Sequence, residues 1–315
     1  MPLDPRVRRI VQLMSALDSR GEDTPMVDRR RASAATATRL GFLVMPKGPE
    51  PADQTDRLVP VAGGTIIVRV YRPHGPGPFP LYIFLHGGGW CVGTLGERDA
   101  RCRAIAAGAQ CVVASVDYRM APENTYPTPG EDCYAALRWL AEHAAELNVD
   151  PSRIAIGGES AGANLAAVTC LMARDRSGPK ICHQWLDVPA TDLTLAQPSI
   201  TSVPDGHLLD RSDIDRYLAC YLADPAQATE AYASPLLADD LTGLPPAWIM
   251  SAEFDKLRDD GKVYADALDA AGVPVTYRLL SGHVHPSFAF TRLVPSAKAY
   301  EEAAISALAA AFRSP

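Results

Sequence analysis

The run Arg153-Ile154-Ala155-Ile156-Gly157-Gly158-Glu159-Ser160-Ala161-Gly162-Ala163-Asn164-Leu165 decides the fold of this 315-residue chain. An apolar strand at residues 153–156 enters a glycine-flanked turn and leaves it as a helix-forming stretch over residues 164–172. The turn, Gly158-Glu159-Ser160-Ala161-Gly162, has the pattern G-x-S-x-G. Small glycines on both sides let the backbone turn so tightly that the serine takes strained angles and its hydroxyl projects outward. The following helix aims the positive end of its dipole at negative charge developing there.

Working outward, the same strand and helix rhythm recurs on both sides. Upstream lie β-rich runs at residues 64–71 and 80–85, divided by a turn-forming segment at 74–78, then a helix over 98–109, a strand over 111–116 and a helix over 130–147. Downstream, strands at 246–251 and 275–280 alternate with helices at 259–271 and 295–312. Short strands separated by helices predict parallel βαβ units, and hence a three-layer α/β sandwich with a mostly parallel sheet. Apolar residues Val7, Ile10, Val11, Leu13 and Met14 predict a helical arm across residues 5–37, ahead of a Pro- and Gly-rich stretch at 46–51. Residues 191–237 lack an obvious core strand but hold an amphipathic run at 213–223 with Ile214, Tyr217, Leu218 and Tyr221. The expected organisation is an arm at 1–50, one catalytic domain from 51–190 and 238–315, and a helical insertion at 191–237 that covers it.

Composition narrows the function classes. A formal net charge of −7 and a sequence pI near 5.5 disfavour phosphate backbones and anionic lipid, and no basic stripe with interleaved aromatics is present. The cluster Arg29, Arg30 and Arg31 reads as a solvated helix face. Seven scattered cysteines without a CxxC pair argue against a disulfide scaffold or a zinc site, so no metal or other cofactor is expected. The charged residues 1–20 lack the apolar stretch of a signal peptide, and no window reaches the roughly 18 apolar residues of a membrane span; cytoplasmic residence is the expectation.

A second motif, His86-Gly87-Gly88-Gly89-Trp90, ends the apolar strand at 80–85. Its three glycines leave backbone N–H groups unobstructed, which suits a tetrahedral oxyanion; Gly88, Gly89 and Ala161 are the expected donors. No Lys-Ser/Thr follows, which argues against a phosphate loop. A serine hydroxyl needs a base to remove its proton, and in this order of elements the acid and then the histidine follow the serine. His283 and His285 both sit beyond the strand at 275–280, and either is placed to face Ser160. Glu253 and Asp255 both lie at the carboxyl end of the strand at 246–251, the functional edge of such a sheet, and either carboxylate would orient the imidazole. Asp187 and Asp192 fall too early and read as turn or cap carboxylates.

With Asp117-Tyr118-Arg119-Met120-Ala121-Pro122-Glu123 added to these two motifs, the chain resembles the hormone-sensitive lipase-like esterases, the bacterial family IV carboxylesterases, over roughly residues 55–310. The resemblance implies an α/β-hydrolase fold with a helical cap made by the arm and the 191–237 insertion. The family pattern Ala-Glu-x-Asp-x-Leu-x-Asp matches Ala252-Glu253-Phe254-Asp255-Lys256-Leu257-Arg258-Asp259 and so selects Asp255, while the Gly-x-x-His-x-Phe-like ending selects His285. Two positions depart from the pattern: Glu159 stands where Asp is commoner, and Pro286-Ser287 replaces the usual Gly after the histidine. The expected reaction is acyl transfer from a small-molecule ester of short or medium acyl chain, with Trp90, Tyr217 and Tyr221 as candidates to line the pocket, and a homodimer is consistent with the resemblance. The same constellation serves amides and carbamates, and a ligand receptor on the same scaffold is the reading from another class.

Overall fold

The computed structural model describes residues 2–17 and 24–313. Its elements in chain order are α1 (Pro5–Leu17), α2 (Met26–Val44), β1 (Asp53–Val61), β2 (Gly64–Arg72), β3 (Phe79–Leu85), α3 (Leu95–Ala109), β4 (Val112–Asp117), α4 (Thr128–Glu142) and β5 (Val149–Glu159). They continue with α5 (Ala161–Asp175), β6 (His183–Asp187), α6 (Ser199–Ser202), α7 (Arg211–Tyr221), β7 (Ala247–Phe254), α8 (Arg258–Ala270), β8 (Val275–Val284) and α9 (Pro295–Ala311). The first 50 residues hold α1 and α2, with residues 18–23 of the expected arm outside the described residues.

The eight strands form one sheet in the order β1-β2-β4-β3-β5-β6-β7-β8. β1 and β2 pair antiparallel, as do β2 and β4; every later pairing is parallel. All seven residues of β3 are buried, and Ile154 and Ile156 of β5 are fully enclosed, as parallel strands covered on both faces require. Each such Leu or Ile contributes about 1.5–3 kcal/mol through removal of apolar surface from water. α5 is buried from Ala161 to Ala173, so this central helix is wrapped on all sides. The crossovers from β3 run both ways, placing the ends of β3 and β5 side by side, with Leu85 opposite Gly158. Such a reversal of strand order opens a crevice at the carboxyl edge of the sheet.

Two strands lie where the sequence pattern predicted none. β1 is an edge strand in which only Val59 is buried, so neither face carries an apolar alternation. β6 is five residues long and begins His183-Gln184, too short and too polar to register as a core strand, although all five residues are buried. The arginine cluster also differs from expectation. Arg30 leaves solvent to donate from Nε to the Cys91 carbonyl at 2.6 Å and from a terminal nitrogen to the Ala121 carbonyl at 2.6 Å. It also forms a two-point pair with Glu123 at 3.0 and 2.8 Å, which fastens α2 to the loops after β3 and β4. A helical wheel shows a charged face, but only packing shows which charge is turned inward. All seven cysteines are free thiols, and among the described residues no helix is long and apolar enough to cross a membrane.

Candidate active site

Ser160 follows the last residue of β5 and precedes α5 with φ 55° and ψ −120°, a conformation rarely adopted by a side-chain-bearing residue. Holding it costs of order 1–3 kcal/mol, which the surrounding packing must offset. The flanking glycines explain how the turn closes. A Cβ on Gly162 would stand 2.1 Å from the Leu85 carbonyl oxygen and 2.4 Å from that of His86, and one on Gly158 would stand 2.3 Å from the Leu85 oxygen. The Ser160 N–H donates to the Asp187 carbonyl at 2.8 Å, so the end of β6 holds the turn from the side.

The loop after β3 lies against this turn. Gly88 and Gly89 take φ +123° and +57°, and Trp90 follows at φ 58°. His86 stacks on Tyr118 with ring centroids 4.4 Å apart; burial holds its imidazole down at about 4, so it is neutral at ordinary pH. With that ring uncharged, its Nδ1–H donates to the Gly87 carbonyl at 2.9 Å and stiffens the glycine run. α7 packs on the other side of the loop: Trp90 stacks on Tyr221 at 4.4 Å with ring planes 4° apart, and a Cβ on Gly89 would strike the Tyr217 ring at 2.2 Å.

The two histidines left open by spacing occupy different environments. His285 Nδ1 donates to Asp255 Oδ2 at 2.7 Å, while Asp255 Oδ1 accepts the Leu257 N–H at 2.9 Å and so has little rotational freedom. Filling Nδ1 with the proton leaves Nε2 of the neutral ring as an acceptor. His283 is engaged at both nitrogens, by the Ser287 hydroxyl at 2.8 Å and the Ser296 hydroxyl at 2.8 Å. Ser287 also accepts the Val284 N–H at 3.0 Å and donates to the Val284 carbonyl at 2.9 Å. The departure from the family's glycine thus closes the loop that carries His285 with a side-chain hydroxyl. Glu253, the alternative acid, instead accepts the Gly282 N–H at 2.7 Å.

Ser160, His285, Gly88, Gly89 and Ala161 all face one cavity of about 320 Å³, also lined by Met14 of α1, Ser33 of α2 and residues of the 191–237 segment. Trp90 and Tyr217 also line it. Tyr221 does not: it is completely buried behind the Trp90 indole, which takes the position facing the cavity.

Comparison with known proteins accords with this geometry. Residues 82–289 match a family described as alpha/beta hydrolase fold. The chain is 42% identical over 296 residues to the carboxylic ester hydrolase LipN of Mycobacterium tuberculosis, covering 92% of this chain and 79% of that protein. It is 47% identical over 236 residues to the carboxylesterase NlhH of the same organism, covering 74% of each. The chain belongs to the hormone-sensitive lipase-like carboxylesterases of the α/β-hydrolase superfamily. Among solved structures, a hyperthermophilic esterase from Pyrobaculum calidifontis superposes with a TM-score of 0.93 at 34% identity, covering 98% of this chain and 99% of that one.

In this member of the family the elbow stands on charged groups that sequence reasoning did not assemble. Asp187 is not a turn carboxylate: it ends β6, is 1% exposed, and accepts from Arg101, from the Tyr300 hydroxyl and from Trp185 Nε1, the last at 2.8 Å. Burial pushes its carboxyl up, against the pull of Arg101. Burial alone would also raise Glu159, but Arg98 and Arg101 together hold it below the usual carboxylate value. No local pattern marks Arg98 or Arg101, because a helix read in one dimension does not reveal which carboxylate its arginines meet. Asp192 is the turn carboxylate expected, accepting the Thr194 N–H at 3.0 Å and hydroxyl at 2.5 Å.

Proposed function

We propose that this chain hydrolyses carboxylic esters of short to medium acyl chain through a Ser160 acyl-enzyme. The observation that carries this reading is the convergence of a strained serine and a carboxylate-held imidazole on one cavity. His285 Nε2 takes the Ser160 proton as Oγ attacks the ester carbon, and Asp255 holds the imidazolium so formed. The tetrahedral oxyanion accepts N–H groups of Gly88, Gly89 and Ala161; as these are fixed before the reaction, they stabilise the transition state more than the ground state. The oxyanion collapses, the bond to the alcohol breaks, and His285 hands its proton to the departing alcohol. Water then enters, loses a proton to the same Nε2 and attacks the acyl carbon, and the second collapse returns the proton to Ser160 and frees the acid.

The arm at 1–50 and the insertion at 191–237 serve as the cap over the pocket. A volume of about 320 Å³ sits at the small end of the roughly 300–1,000 Å³ of ligand pockets, which favours compact acyl groups lying against Trp90 and Tyr217. The test compares p-nitrophenyl acetate, butyrate and laurate with wild type and Ser160→Ala. Turnover of acetate and butyrate, lost in the variant by at least about 10³-fold, is expected. A folded wild type that turns over none of the three, or a variant as active as wild type, would sink the reading.

A further inference from the structure

Arg101 lies in the middle of α3 with its side chain 2% exposed, yet it carries a full charge into the core beneath the sheet edge. Isolated, such a charge would cost several kcal/mol, so its partners indicate what holds it. One terminal nitrogen meets Glu159 at 3.0 Å and the other meets Asp187, with Glu301 3.8 Å from its Nε. Its guanidinium is sandwiched among three rings, 5.7 Å from the centroid of Phe84, 5.3 Å from Trp185 and 5.0 Å from Phe288.

Three of those contacts lead into the site. Glu159 is the residue before Ser160, and its Oε1 lies 3.5 Å from the Gly87 nitrogen at the head of the glycine loop. Asp187 accepts the Ser160 N–H through its backbone carbonyl. Phe288 belongs to the short turn three residues beyond His285. A single buried cation therefore touches the supports of the nucleophile, of the oxyanion donors and of the general base. We propose that Arg101 is a positioning residue: by bridging Glu159 and Asp187 beneath Ser160 it sets the distance between the serine turn, the Gly87–Gly89 backbone and the His285 loop. The proposal rests on the esterase reading of the same site. It assigns Arg101 no contact with substrate; the effect is on attack geometry, where misplacement of about 1 Å can cost about 100-fold in rate.

A purely structural role predicts fewer folded molecules, each fully active, whereas positioning predicts slower turnover in each molecule. Diethyl p-nitrophenyl phosphate counts reactive serines by its stoichiometric release of p-nitrophenolate, so kcat for p-nitrophenyl butyrate is expressed per titrated site. Arg101→Met is expected to lower this kcat by at least about 30-fold while KM moves less than about threefold. Arg101→Lys, which restores the charge but not the two-point bridge, should recover only part of the loss. Glu159→Gln keeps the shape and removes one end of the bridge, and should fall at least about tenfold per site even where Arg101→Met does not fold. Arg119→Met is the comparison: Arg119 pairs with buried Asp132 at 2.6 Å away from the cavity lining, and its loss should lower the melting temperature but not kcat per site. Values within threefold of wild type per titrated site for Glu159→Gln and either Arg101 variant would overturn the proposal. That outcome with Ser160→Ala inactive removes only the positioning role; activity in Ser160→Ala removes the esterase reading beneath it.

Discussion

Ser160 is held at φ 55° because Gly158 and Gly162 permit approaches that no side chain tolerates. Gly162 is the tighter of the two, at 2.1 Å against 2.3 Å from the Leu85 oxygen, and at both the obstacle is fixed backbone, which cannot rotate aside as a side chain would. Gly162→Ala therefore has to push the elbow away from His86 and the glycine run. The expected result is a fall in kcat of at least about 100-fold, accompanied by a lower melting temperature. Wild-type turnover by soluble Gly162→Ala would mean that the elbow and the glycine loop need not be this close. At the same scale, Ser287 shows how a departure from the family pattern is absorbed. Its hydroxyl bonds both the N–H and the carbonyl of Val284 and also His283, so the turn around His285 is closed without a glycine.

At the scale of elements, the pocket is made where α2 and α7 are fastened onto the loop between β3 and α3. α7 is attached by the Trp90 and Tyr221 stack, and α2 by Arg30. Arg30 satisfies two carbonyls that would otherwise be left short of a donor, in addition to pairing with half-exposed Glu123, whose own share is modest because solvent screens it. Arg30→Ala is expected to remove about 2 kcal/mol of stability, read as a lower urea midpoint with unchanged slope. KM for p-nitrophenyl butyrate should rise more than kcat falls, because α2 lines the pocket through Ser33 and does not bear on Ser160. A variant in which kcat alone fell would argue that α2 instead braces the reacting groups.

At the scale of the whole molecule, buried histidines tie stability to pH. His86 and His183 are each held down to about 4 by burial, against an ordinary value of 6.5. The unfolded chain therefore takes up protons near pH 6.5 that the folded chain refuses until about pH 4. Stability from this source is complete above the unfolded value and is lost as the pH falls through that window, at about 1.4 kcal/mol per pH unit for each histidine. Buried Asp187 and Asp260, whose carboxyls are raised by burial, act in the opposite sense. The difference between wild type and His183→Gln isolates one histidine from both effects. Their unfolding free energies, measured from pH 7 to pH 4, should differ by a quantity that changes by about 1.4 kcal/mol per pH unit; parallel curves would show that His183 takes up its proton in the folded state.

Most of the scaffold was legible because its signals are local. The elbow and the glycine run need small residues at fixed positions in a few consecutive residues, and the alternation of apolar strands with helices needs only neighbours along the chain. From these the α/β architecture, the serine turn and the glycine loop follow without coordinates, and the family resemblance selects Asp255 and His285. What the tertiary structure alone decided is everything that depends on meetings across long stretches of chain. It gave the polar strand β6 its buried place, put Tyr221 behind Trp90, turned Arg30 inward, and engaged His283 with two serines while His285 meets Asp255. The physical reason is that a charge or ring is functional through its partner, and the partners of Arg101 lie 58 and 86 residues away along the chain. Backbone constraint is written residue by residue, whereas the pairing of buried charges is written only by the fold that brings them together.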